Sequence, residues 1–432
     1  MDSIKFYRNA IELNKQAASL LFPFPEIYDT RHYSNFIMYE TEDEVLLPHT
    51  FSTAIPRSVK KIFVNRKYTP FIHAKPLINP RPWQLTGLRT LKAQKTYKGI
   101  IKMPVGAGKT IFSLLLVGTV VNKKTIIVVD KDILKSQWLE SAKKVYGEQF
   151  CVKELEKEDF ENKLSGIDIG VVNVQLLLSL LKDFPKYEAL IHDSDFDCVI
   201  YDEAHTTSAA KAFMRSLALF RNFRYLFGLT ATPKDNINEV VIGDVVIDAE
   251  QVGYYNKYKE NLKIEFVKTN FEIPVRRWPG IDAQAFLANY YTSVENNNYF
   301  INFVVEEVNK LLNNDRKVLL VVNRIKTLEV LKDKIPSIKI LASKQKDDVT
   351  GEDNLVVATY NIASKGLDID HLDTIVSLSI IRGKISTVQL IGRILRQKEN
   401  KQFPLVKFIY DSVLLKHEDF STIEEDIRSR RI

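Results

Sequence analysis

A glycine-rich turn between an apolar strand and an apolar helix constrains the fold of this chain more than any other feature. The segment comprises Gly99–Met103, Val105, Gly106, Ala107, Gly108, Lys109, Thr110 and Ile111–Val117. Strand, glycine-rich turn and helix start are the context in which a phosphate-binding loop forms. Its backbone N–H groups surround phosphate oxygens, and the helix N-terminus adds partial positive charge. Because Met103 stands where the strict pattern has its first glycine, the segment alone also fits an ordinary strand–helix turn.

Lys109 and Thr110 give this segment its expected chemistry. In a phosphate loop the lysine reaches the β- and γ-phosphates of a nucleotide, and the hydroxyl at the next position binds Mg²⁺. We therefore expect ATP and Mg²⁺ as the cofactors of this chain.

Downstream of Arg81, buried strands alternate with helical patterns, which is typical of an α/β domain built on a parallel sheet. A first series of strands is predicted at Lys124–Val129, Asp168–Val172, Phe196–Tyr201 and Arg224–Gly228. A second α/β unit begins near Tyr299, with strands predicted at Lys317–Val322, Ile338–Leu341, Asn354–Ala358 and Thr374–Leu378. The predicted fold class is α/β, with two tandem parallel-sheet domains.

The first 78 residues form a predicted small α+β domain. A helix is expected at Ile4–Leu21, and strands at Asn35–Tyr39 and Glu44–Leu47. Basic and aromatic residues then alternate, at Arg57, Lys60, Lys61, Phe63, Arg66, Lys67, Tyr68 and Phe71. Such residues can hold a sugar-phosphate backbone while rings stack, or the rings can fill a small core. The predicted domains are residues 1–78 (accessory, DNA-binding), 79–248, a connecting segment at 249–298, and 299–432.

A pair of carboxylates follows the predicted strand Phe196–Tyr201. Because open parallel sheets bind ligands at the carboxyl ends of their strands, Asp202 is expected to hold Mg²⁺ opposite Thr110. Glu203 is expected to accept a proton from the water that attacks the γ-phosphate. Such pairs also occur on ordinary surfaces, and it is the buried strand and the phosphate loop that favour the functional interpretation.

Two further segments carry polar residues at the ends of predicted elements. Thr230 and Thr232 follow the fifth predicted strand and can relay between a nucleotide and a second site. In Val388–Arg396, the side chains of Arg393 and Arg396 are three residues apart, which predicts one face of a helix. The second α/β unit has no phosphate-loop pattern of its own, and its candidate functional residues are these arginines.

Charge and cysteine content bear on the partner and the compartment. Residues 45–129 contain 15 Lys or Arg and no Asp or Glu, although 54 acidic residues in 432 would place about ten there. This stretch favours a polyanionic partner, above all nucleic acid, with part of it as ordinary solvated surface. Cys151 and Cys198 are expected to be packing residues in a reducing compartment. Because no signal-peptide pattern or membrane-length apolar run occurs, a cytoplasmic location is predicted.

Taken in order, these motifs resemble those of the superfamily 2 helicases and translocases, over about residues 81–410. The matching residues are Gln84, the loop ending in Thr110, Asp202-Glu203-Ala204-His205, Thr230-Ala231-Thr232, Gly366-Leu367-Asp368, and Gln389 with Gly392, Arg393 and Arg396. The resemblance implies two RecA-like domains that clamp one ATP between them. It also implies that ATP hydrolysis is coupled to unwinding of, or translocation along, nucleic acid.

The resemblance further implies roles for individual residues. Those implied to bind the nucleotide are Arg81, Gln84 (which contacts adenine), Val105, Gly106, Ala107, Gly108, Lys109, Thr110, Gly366 and Asp368. Those implied in hydrolysis are Lys109, Asp202, Glu203, Gln389, and the arginine fingers Arg393 and Arg396. Those implied to couple the nucleotide state to the nucleic acid are His205, Thr230, Thr232, Arg324, Thr359 and Asp368.

Within the superfamily, Lys384–Arg396 most resembles the phage UvsW type and its XPB-like relatives, which remodel branched DNA by fork regression and branch migration. This resemblance implies forked, branched or single-stranded DNA as the partner, in the host cytoplasm if a phage encodes the protein. A monomer is expected. Leu390 replaces the arginine of DEAH-type RNA helicases, which argues against that branch. The segment from Leu341 to Asn354 is short for the helix usual there. The alternatives are an RNA-remodelling helicase and a translocating subunit of a larger complex.

Overall fold

A computed structural model describes most of the chain. The described residues are 4–8, 10–15, 18, 38–42, 44–49, 55, 59–64, 69–104, 106–204, 211–231, 242–269, 283–335, 338–342, 347, 349–365, 370–378, 390–396 and 401–410. Three β-sheets organise these residues, and two of them are entirely parallel.

The N-terminal sheet is mixed. Its strands are β1 (Ile4–Phe6), β2 (Ala10–Asn14), β3 (Tyr39–Glu40), β4 (Glu44–Pro48) and β5 (Lys61–Phe63). They lie in the order β3-β4-β2-β1-β5, with β1 antiparallel to β2 and parallel to β5.

The first parallel sheet has seven strands in the order β12-β6-β11-β10-β7-β9-β8. They are β6 (Lys98–Lys102), β7 (Lys124–Val129), β8 (Val152–Glu154), β9 (Ile169–Asn173), β10 (Phe196–Tyr201), β11 (Tyr225–Thr230) and β12 (Val245–Asp248). The second parallel sheet has six strands in the order β13-β18-β17-β14-β16-β15. They are β13 (Lys263–Lys268), β14 (Val318–Val322), β15 (Lys339–Leu341), β16 (Leu355–Thr359), β17 (Thr374–Ser377) and β18 (Leu405–Tyr410).

Helices connect these strands. Those of the first parallel sheet are α1 (Pro82–Ala93), α2 (Lys109–Leu116), α3 (Asp132–Tyr146), α4 (Lys157–Glu161), α5 (Val174–Leu180), α6 (Phe184–Asp193) and α7 (Lys211–Leu217). Those that follow are α8 (Lys257–Glu260), α9 (Ala283–Asn296), α10 (Asn298–Leu312), α11 (Ile325–Lys334) and α12 (Tyr360–Lys365). Residues 390–394 are also helical.

Both parallel sheets are buried on both faces, as parallel sheets usually are. One face of the first sheet packs Ile126, Val128 and Val199 into one core, and Ile127 and Ile200 of the same strands lie in the core on the opposite face. The second sheet likewise has separate cores on its two faces. The prediction of two tandem parallel-sheet α/β domains is therefore confirmed.

The N-terminal sheet packs on the first parallel sheet, because residues of β1, β2 and β4 share a hydrophobic core with helices α5 to α7. The helix predicted at Ile4–Leu21 is wrong, since β1 and β2 form an antiparallel pair there. Burial selects the strands: Ile4 and Phe6, and then Ile11 and Leu13, alternate as buried residues along them.

The contacts divide the described chain into a first unit, Met1–Tyr254, and a second unit, Tyr255–Ile432. The predicted borders at residues 78, 248 and 298 stay predictions. The segment predicted as a connection supplies strand β13, which pairs with β18, and helix α9.

Further expectations concerned the two cysteines, the segment between Leu341 and Asn354, and membrane-spanning helices. Cys198 is buried as predicted, but Cys151 is exposed and the prediction that it packs inside the protein is wrong. The described residues between Leu341 and Asn354 contain no helix. No helix within the described residues is long and apolar enough to cross a membrane.

Candidate active site

The glycine-rich turn lies between strand β6 and helix α2, as the sequence predicts. Gly106 has a φ of +80° and Gly108 a φ of +91°. These angles are in the left-handed region, which glycine adopts without the steric cost that a Cβ brings. Gly108 directly precedes Lys109, the first residue of α2, so the turn delivers its backbone to a helix N-terminus. This geometry is suited to phosphate binding.

The departure from the strict pattern at Met103 has a structural explanation. The Met103 side chain is fully buried in a core of the first parallel sheet, and its backbone N–H donates to the Thr230 carbonyl at 2.8 Å. Position 103 therefore continues the strand pairing, and a side chain there has space in the core. A glycine is not required at this point of the turn.

Lys109 and Glu203 form an ion pair across the carboxyl ends of β6 and β10. Lys109 Nζ and Glu203 Oε1 are 2.6 Å apart, and both side chains are mostly buried. Glu203 has a φ of +47°, an uncommon conformation for a residue with a Cβ. Such conformations cluster at functional sites. The structure thus brings together the two residues predicted for phosphate binding and proton transfer.

Asp202 is buried beside this pair, and three hydrogen bonds hold it. Its N–H donates to the Val128 carbonyl, its Oδ1 accepts from the Glu203 N–H, and its Oδ2 accepts from Trp138 Nε1, each at 2.9 Å. Burial, together with the adjacent Glu203 carboxylate, raises the pKa of Asp202 to about 6. Burial disfavours the charged form of the carboxylate. A cation bound nearby would have the opposite effect and favour the ionised form of Asp202.

Gln84 lies against the glycine-rich turn. Its Oε1 accepts from the Arg81 N–H at 2.9 Å, at the start of helix α1. Its Nε2 would be 3.6 Å from a Cβ built at Gly108. The buried amide is therefore next to the phosphate loop, whereas the Arg81 residue is exposed.

These residues suit a magnesium nucleotide. Mg²⁺ is usually held by one or two carboxylates together with substrate phosphates, and the site offers the Asp202 carboxylate and the Thr110 hydroxyl. Within the described residues, no cluster of three or more metal-binding side chains occurs. Left-handed glycines next to a helix N-terminus supply the N–H donors that phosphate oxygens need. Lys109, Thr110 and Asp202 are thus the residues that would hold the group.

Three residues predicted to couple nucleotide and nucleic acid lie at strand ends. Thr230 is the last residue of β11, and β11 lies between β6 and β10 in the sheet. Thr230 is therefore placed between the glycine turn that follows β6 and the carboxylates that follow β10. Thr359 is the last residue of β16 in the second unit. Arg324 follows β14, and its guanidinium donates to the Ala288 carbonyl at 2.7 Å and to Thr292 Oγ1 at 2.8 Å. Arg324 is thus held by helix α9.

Arg393 and Arg396 are half-buried beside a core of the second unit that includes Leu390, Ile391 and Ile394. The helix ends at Ile394, so Arg396 lies in the turn that follows it and not on the predicted helix face. Burial lowers the pKa of Arg396.

Six of the predicted site residues lie outside the described residues. They are Val105, His205, Thr232, Gly366, Asp368 and Gln389.

One residue that contacts the site was not among the predicted site residues. In the sequence, Leu134, Trp138, Ala142 and Val145 recur at helical spacing, which predicts only that Trp138 packs on one face of a helix. The side chain is almost fully buried, and its indole N–H reaches Asp202 from 64 residues away in the sequence. The only sequence signal was a tryptophan on the buried face of a helix, and a buried indole N–H usually finds an acceptor.

Two protein-family models match the chain. The model described as type III restriction enzyme, res subunit, matches residues 77–235, and the helicase conserved C-terminal domain matches residues 301–398. The first match contains the glycine turn and both carboxylates, and the second contains Arg393 and Arg396.

Curated relatives include viral and archaeal proteins. The chain is 26% identical to "Putative helicase 22" of Sulfolobus islandicus filamentous virus over 70% of this chain and 59% of the relative. It is 22% identical to "Transcript termination protein A18" of Yaba-like disease virus over 94% of this chain and 88% of the relative. It is 26% identical to "DNA 3'-5' translocase XPB2" of Sulfurisphaera tokodaii over 48% of this chain and 46% of the relative.

The chain spans about three fifths of the length of the viral helicase named first. The two domain families follow one another in the order that the motifs predict, and each falls on one of the two parallel sheets. These matches, the helicase and XPB relatives and the two parallel-sheet domains together support the assignment of this chain to superfamily 2 of the helicases.

Proposed function

We propose that this protein is an ATP-dependent helicase or translocase that remodels forked and branched DNA as a monomer. The observation that carries the ATP-dependent part is the ion pair between Lys109 and Glu203, at 2.6 Å, next to the buried Asp202. A cation that contacts phosphates, a general base and a metal ligand thus share one edge of the first parallel sheet. Phosphoryl transfer needs this combination.

In this proposal Lys109 exchanges partners during turnover. Without nucleotide its ammonium group neutralises Glu203, and with nucleotide it contacts the β- and γ-phosphates. Glu203 is then released as a base and accepts a proton from the attacking water. Asp202 and Thr110 would hold Mg²⁺, which when bound would neutralise charge on the phosphates. Gln84 and Arg81 are assigned to the nucleobase side of the site.

We assign Arg393 and Arg396 of the second unit to stabilisation of the transition state as arginine fingers. Both are half-buried, and a guanidinium keeps its charge when it is partly removed from water. Nucleotide-driven attraction of these arginines is then the source of movement along the nucleic acid. Thr230, Thr359 and Arg324 are assigned to the coupling of the nucleotide state to the strand.

Three observations favour DNA as the partner. One relative is named as a DNA translocase, and the resemblance of Lys384–Arg396 to the UvsW and XPB-like branch points to forks and branches. In addition, Phe63 and Phe71 in the basic N-terminal region are 68% and 51% exposed. Exposure favours contact with a ligand over the alternative that these two rings fill a core.

RNA remodelling is the second candidate function. A relative that covers 94% of this chain is named as a transcript termination protein, and such a role concerns RNA. A translocating subunit of a larger complex is a third candidate, since one matching family is described by the res subunit of a type III restriction enzyme.

An ATPase assay with a panel of nucleic acids separates these candidates. We expect a forked DNA to stimulate hydrolysis most, above duplex, single-stranded and four-way DNA and single-stranded RNA. Stimulation by RNA alone contradicts the DNA assignment. Translocation without strand separation by the isolated chain favours the subunit alternative, and an absence of hydrolysis with every nucleic acid contradicts the proposed function.

A further inference from the structure

The buried indole of Trp138 reaches the carboxylate that we assign to Mg²⁺. Trp138 is in the middle of helix α3 and is 2% exposed. Its Nε1 donates to Asp202 Oδ2 at 2.9 Å. An indole N–H can only donate a hydrogen bond, so this contact requires an acceptor oxygen at a defined place. The tryptophan therefore constrains where the Asp202 carboxylate lies.

The Asp202 carboxylate is held at both of its oxygens. The Glu203 N–H binds Oδ1, and the Trp138 indole binds Oδ2. A carboxylate can accept about four hydrogen bonds, so these two donors orient the group and leave accepting capacity on both oxygens. An oriented carboxylate with remaining capacity is suited to hold a cation or a water that a cation carries.

A second tryptophan in the same unit shows that the fold does not demand such a contact. Trp83 is also buried; its ring stacks on Phe112 at 5.6 Å and meets Tyr254 edge-on at 5.5 Å. Among the described residues, no hydrogen-bond acceptor lies within reach of its Nε1. A buried indole in this protein can thus serve packing alone. The bond from Trp138 is thus specific to its position beside Asp202 and is not shared by every buried indole of this protein.

Helix α3 is fastened to the helix that follows the phosphate loop as well. Tyr146, in its last turn, donates from its hydroxyl to the Leu114 carbonyl at 2.7 Å. A Cβ built at Gly118 would lie only 2.2 Å from this hydroxyl, so only glycine leaves space for it. At this point helix α2 continues as a π-helix, Val117–Val121. The Tyr146 hydroxyl therefore packs directly against this π-helical segment. Helix α3 therefore contacts both Asp202 and the helix that follows the phosphate loop through buried polar groups.

We propose that Trp138 is a positioning residue of the magnesium site: its indole N–H holds the Asp202 carboxylate in the orientation that binds Mg²⁺ with the nucleotide. This inference rests on the proposed function, since it takes Asp202 as the magnesium ligand. Removal of a group that hydrogen-bonds a metal ligand typically lowers metal affinity 10–100-fold. In this role Trp138 acts through Asp202 and not by direct contact with the nucleotide or the metal.

Calorimetric binding of the ATP analogue AMP-PNP, with Mg²⁺ and with EDTA, tests this role without hydrolysis. The measured quantity is the ratio of the two affinities, which is the enhancement by Mg²⁺. We expect Trp138→Phe to lower this enhancement about tenfold while binding in EDTA stays within about twofold of the wild type. Trp83→Phe, the matched loss of a buried indole, should leave the enhancement unchanged.

The outcomes separate the two ideas. An unchanged enhancement in Trp138→Phe, or an equal loss in Trp83→Phe, overturns the positioning role and leaves the proposed function intact. A wild-type chain that binds the analogue equally with Mg²⁺ and EDTA overturns the assignment of Asp202, and the inference with it. A wild-type chain that binds no AMP-PNP overturns the proposed function itself.

A spectroscopic measurement covers the case in which Trp138→Phe does not fold. Nitrogen-15 labelling of the indoles gives one N–H resonance for each of the three tryptophans. In Asp202→Asn, which replaces the charged acceptor by a neutral amide, we expect the Trp138 resonance to move and the Trp83 resonance to stay. Addition of Mg²⁺ to the wild-type AMP-PNP complex should again move the Trp138 resonance. A Trp138 resonance that responds to neither change overturns the proposal.

Discussion

The two parallel sheets share an architecture and differ in what their strand ends carry. In the first sheet, β6 and β10 end in a glycine turn with Lys109 and in two carboxylates, which form a buried charged cluster. In the second sheet, the described strand ends carry hydroxyls such as Thr359, and Arg324 is bound to helix α9. The same backbone framework therefore hosts different chemistry, because function depends on the residues at the strand ends and not on the fold.

The two sheets also differ in what covers them. The first sheet shares a core with the N-terminal sheet, and Arg221 joins the two through Glu12 at 2.7 Å and Glu188 at 3.2 Å. The Arg221 guanidinium also lies 3.9 Å from the centre of the Tyr7 ring. The N-terminal sheet is thus attached to the nucleotide-binding sheet by charge as well as by apolar contact.

The largest expected effect on the ATPase rate comes from the two arginines of the second unit, Arg393 and Arg396. If Arg393 and Arg396 act only in the transition state, Arg393→Ala or Arg396→Ala should lower the ATPase rate about 10³–10⁵-fold. AMP-PNP affinity, measured by calorimetry, should change little because the first sheet supplies the phosphate contacts. Lys332→Ala, an exposed cation of the same unit, is the control. A rate near that of the wild type in both arginine variants removes the finger assignment.

The next effect concerns the first sheet. Glu203→Gln removes the proposed base and should lower the ATPase rate about 10²–10⁴-fold, the usual contribution of a general base. Lys109→Ala should lower the rate and weaken AMP-PNP binding as well, since Lys109 is assigned to the phosphates. Glu140→Gln, on an exposed position of helix α3, is the control for charge loss. Wild-type turnover by Glu203→Gln would show that another group accepts the proton.

A smaller effect, on the stimulation of the ATPase by nucleic acid, is expected at Arg324 of the second unit. Arg324→Ala should reduce stimulation of the ATPase by nucleic acid about tenfold if this side chain contacts the strand, because a phosphate contact is lost. Thr292→Val removes one of its hydrogen bonds to helix α9 but keeps the guanidinium. We expect this variant to lose about 1 kcal/mol of stability and to keep its stimulation. Equal loss of stimulation in both variants indicates that Arg324 acts by anchoring the helix.

The smallest effect concerns attachment of the N-terminal sheet. Burial raises the pKa of Glu12, but a hydrogen bond from Lys5 and the charge of Arg221 outweigh it, so the pKa lies below its usual value of 4.5. The ionised carboxylate thus stabilises the folded state above pH 4.5, and this contribution is lost as the pH falls through the lower folded value. Glu12→Gln should therefore lower the free energy of unfolding by about 1–2 kcal/mol at pH 7 and by less at pH 3.

Urea unfolding at the two pH values measures this difference. Glu40→Gln, whose partner Lys15 is 3.4 Å away in an exposed pair, should change the free energy of unfolding by less than about 0.5 kcal/mol. An equal effect of Glu12→Gln at both pH values contradicts the linkage.

The sequence by itself determined the central strands and the chemistry of their ends. Lys124–Val129 and Phe196–Tyr201 are predicted to the residue, because a strand buried on both faces is a continuous apolar run. The edge strands Val245–Asp248 and Lys263–Lys268 are only partly buried and were not predicted. Such strands depend on pairing with a neighbour, which local sequence does not record.

The tertiary structure alone decided how the site residues meet. The sequence predicted Lys109 and Glu203 as site residues, but their contact at 2.6 Å depends on strands β6 and β10 standing in one sheet with β11 between them. The same holds for Trp138 and Asp202, which are 64 residues apart. Periodicity along a helix specifies which residues are buried, but only the packing of helix on sheet determines which buried polar atoms find each other.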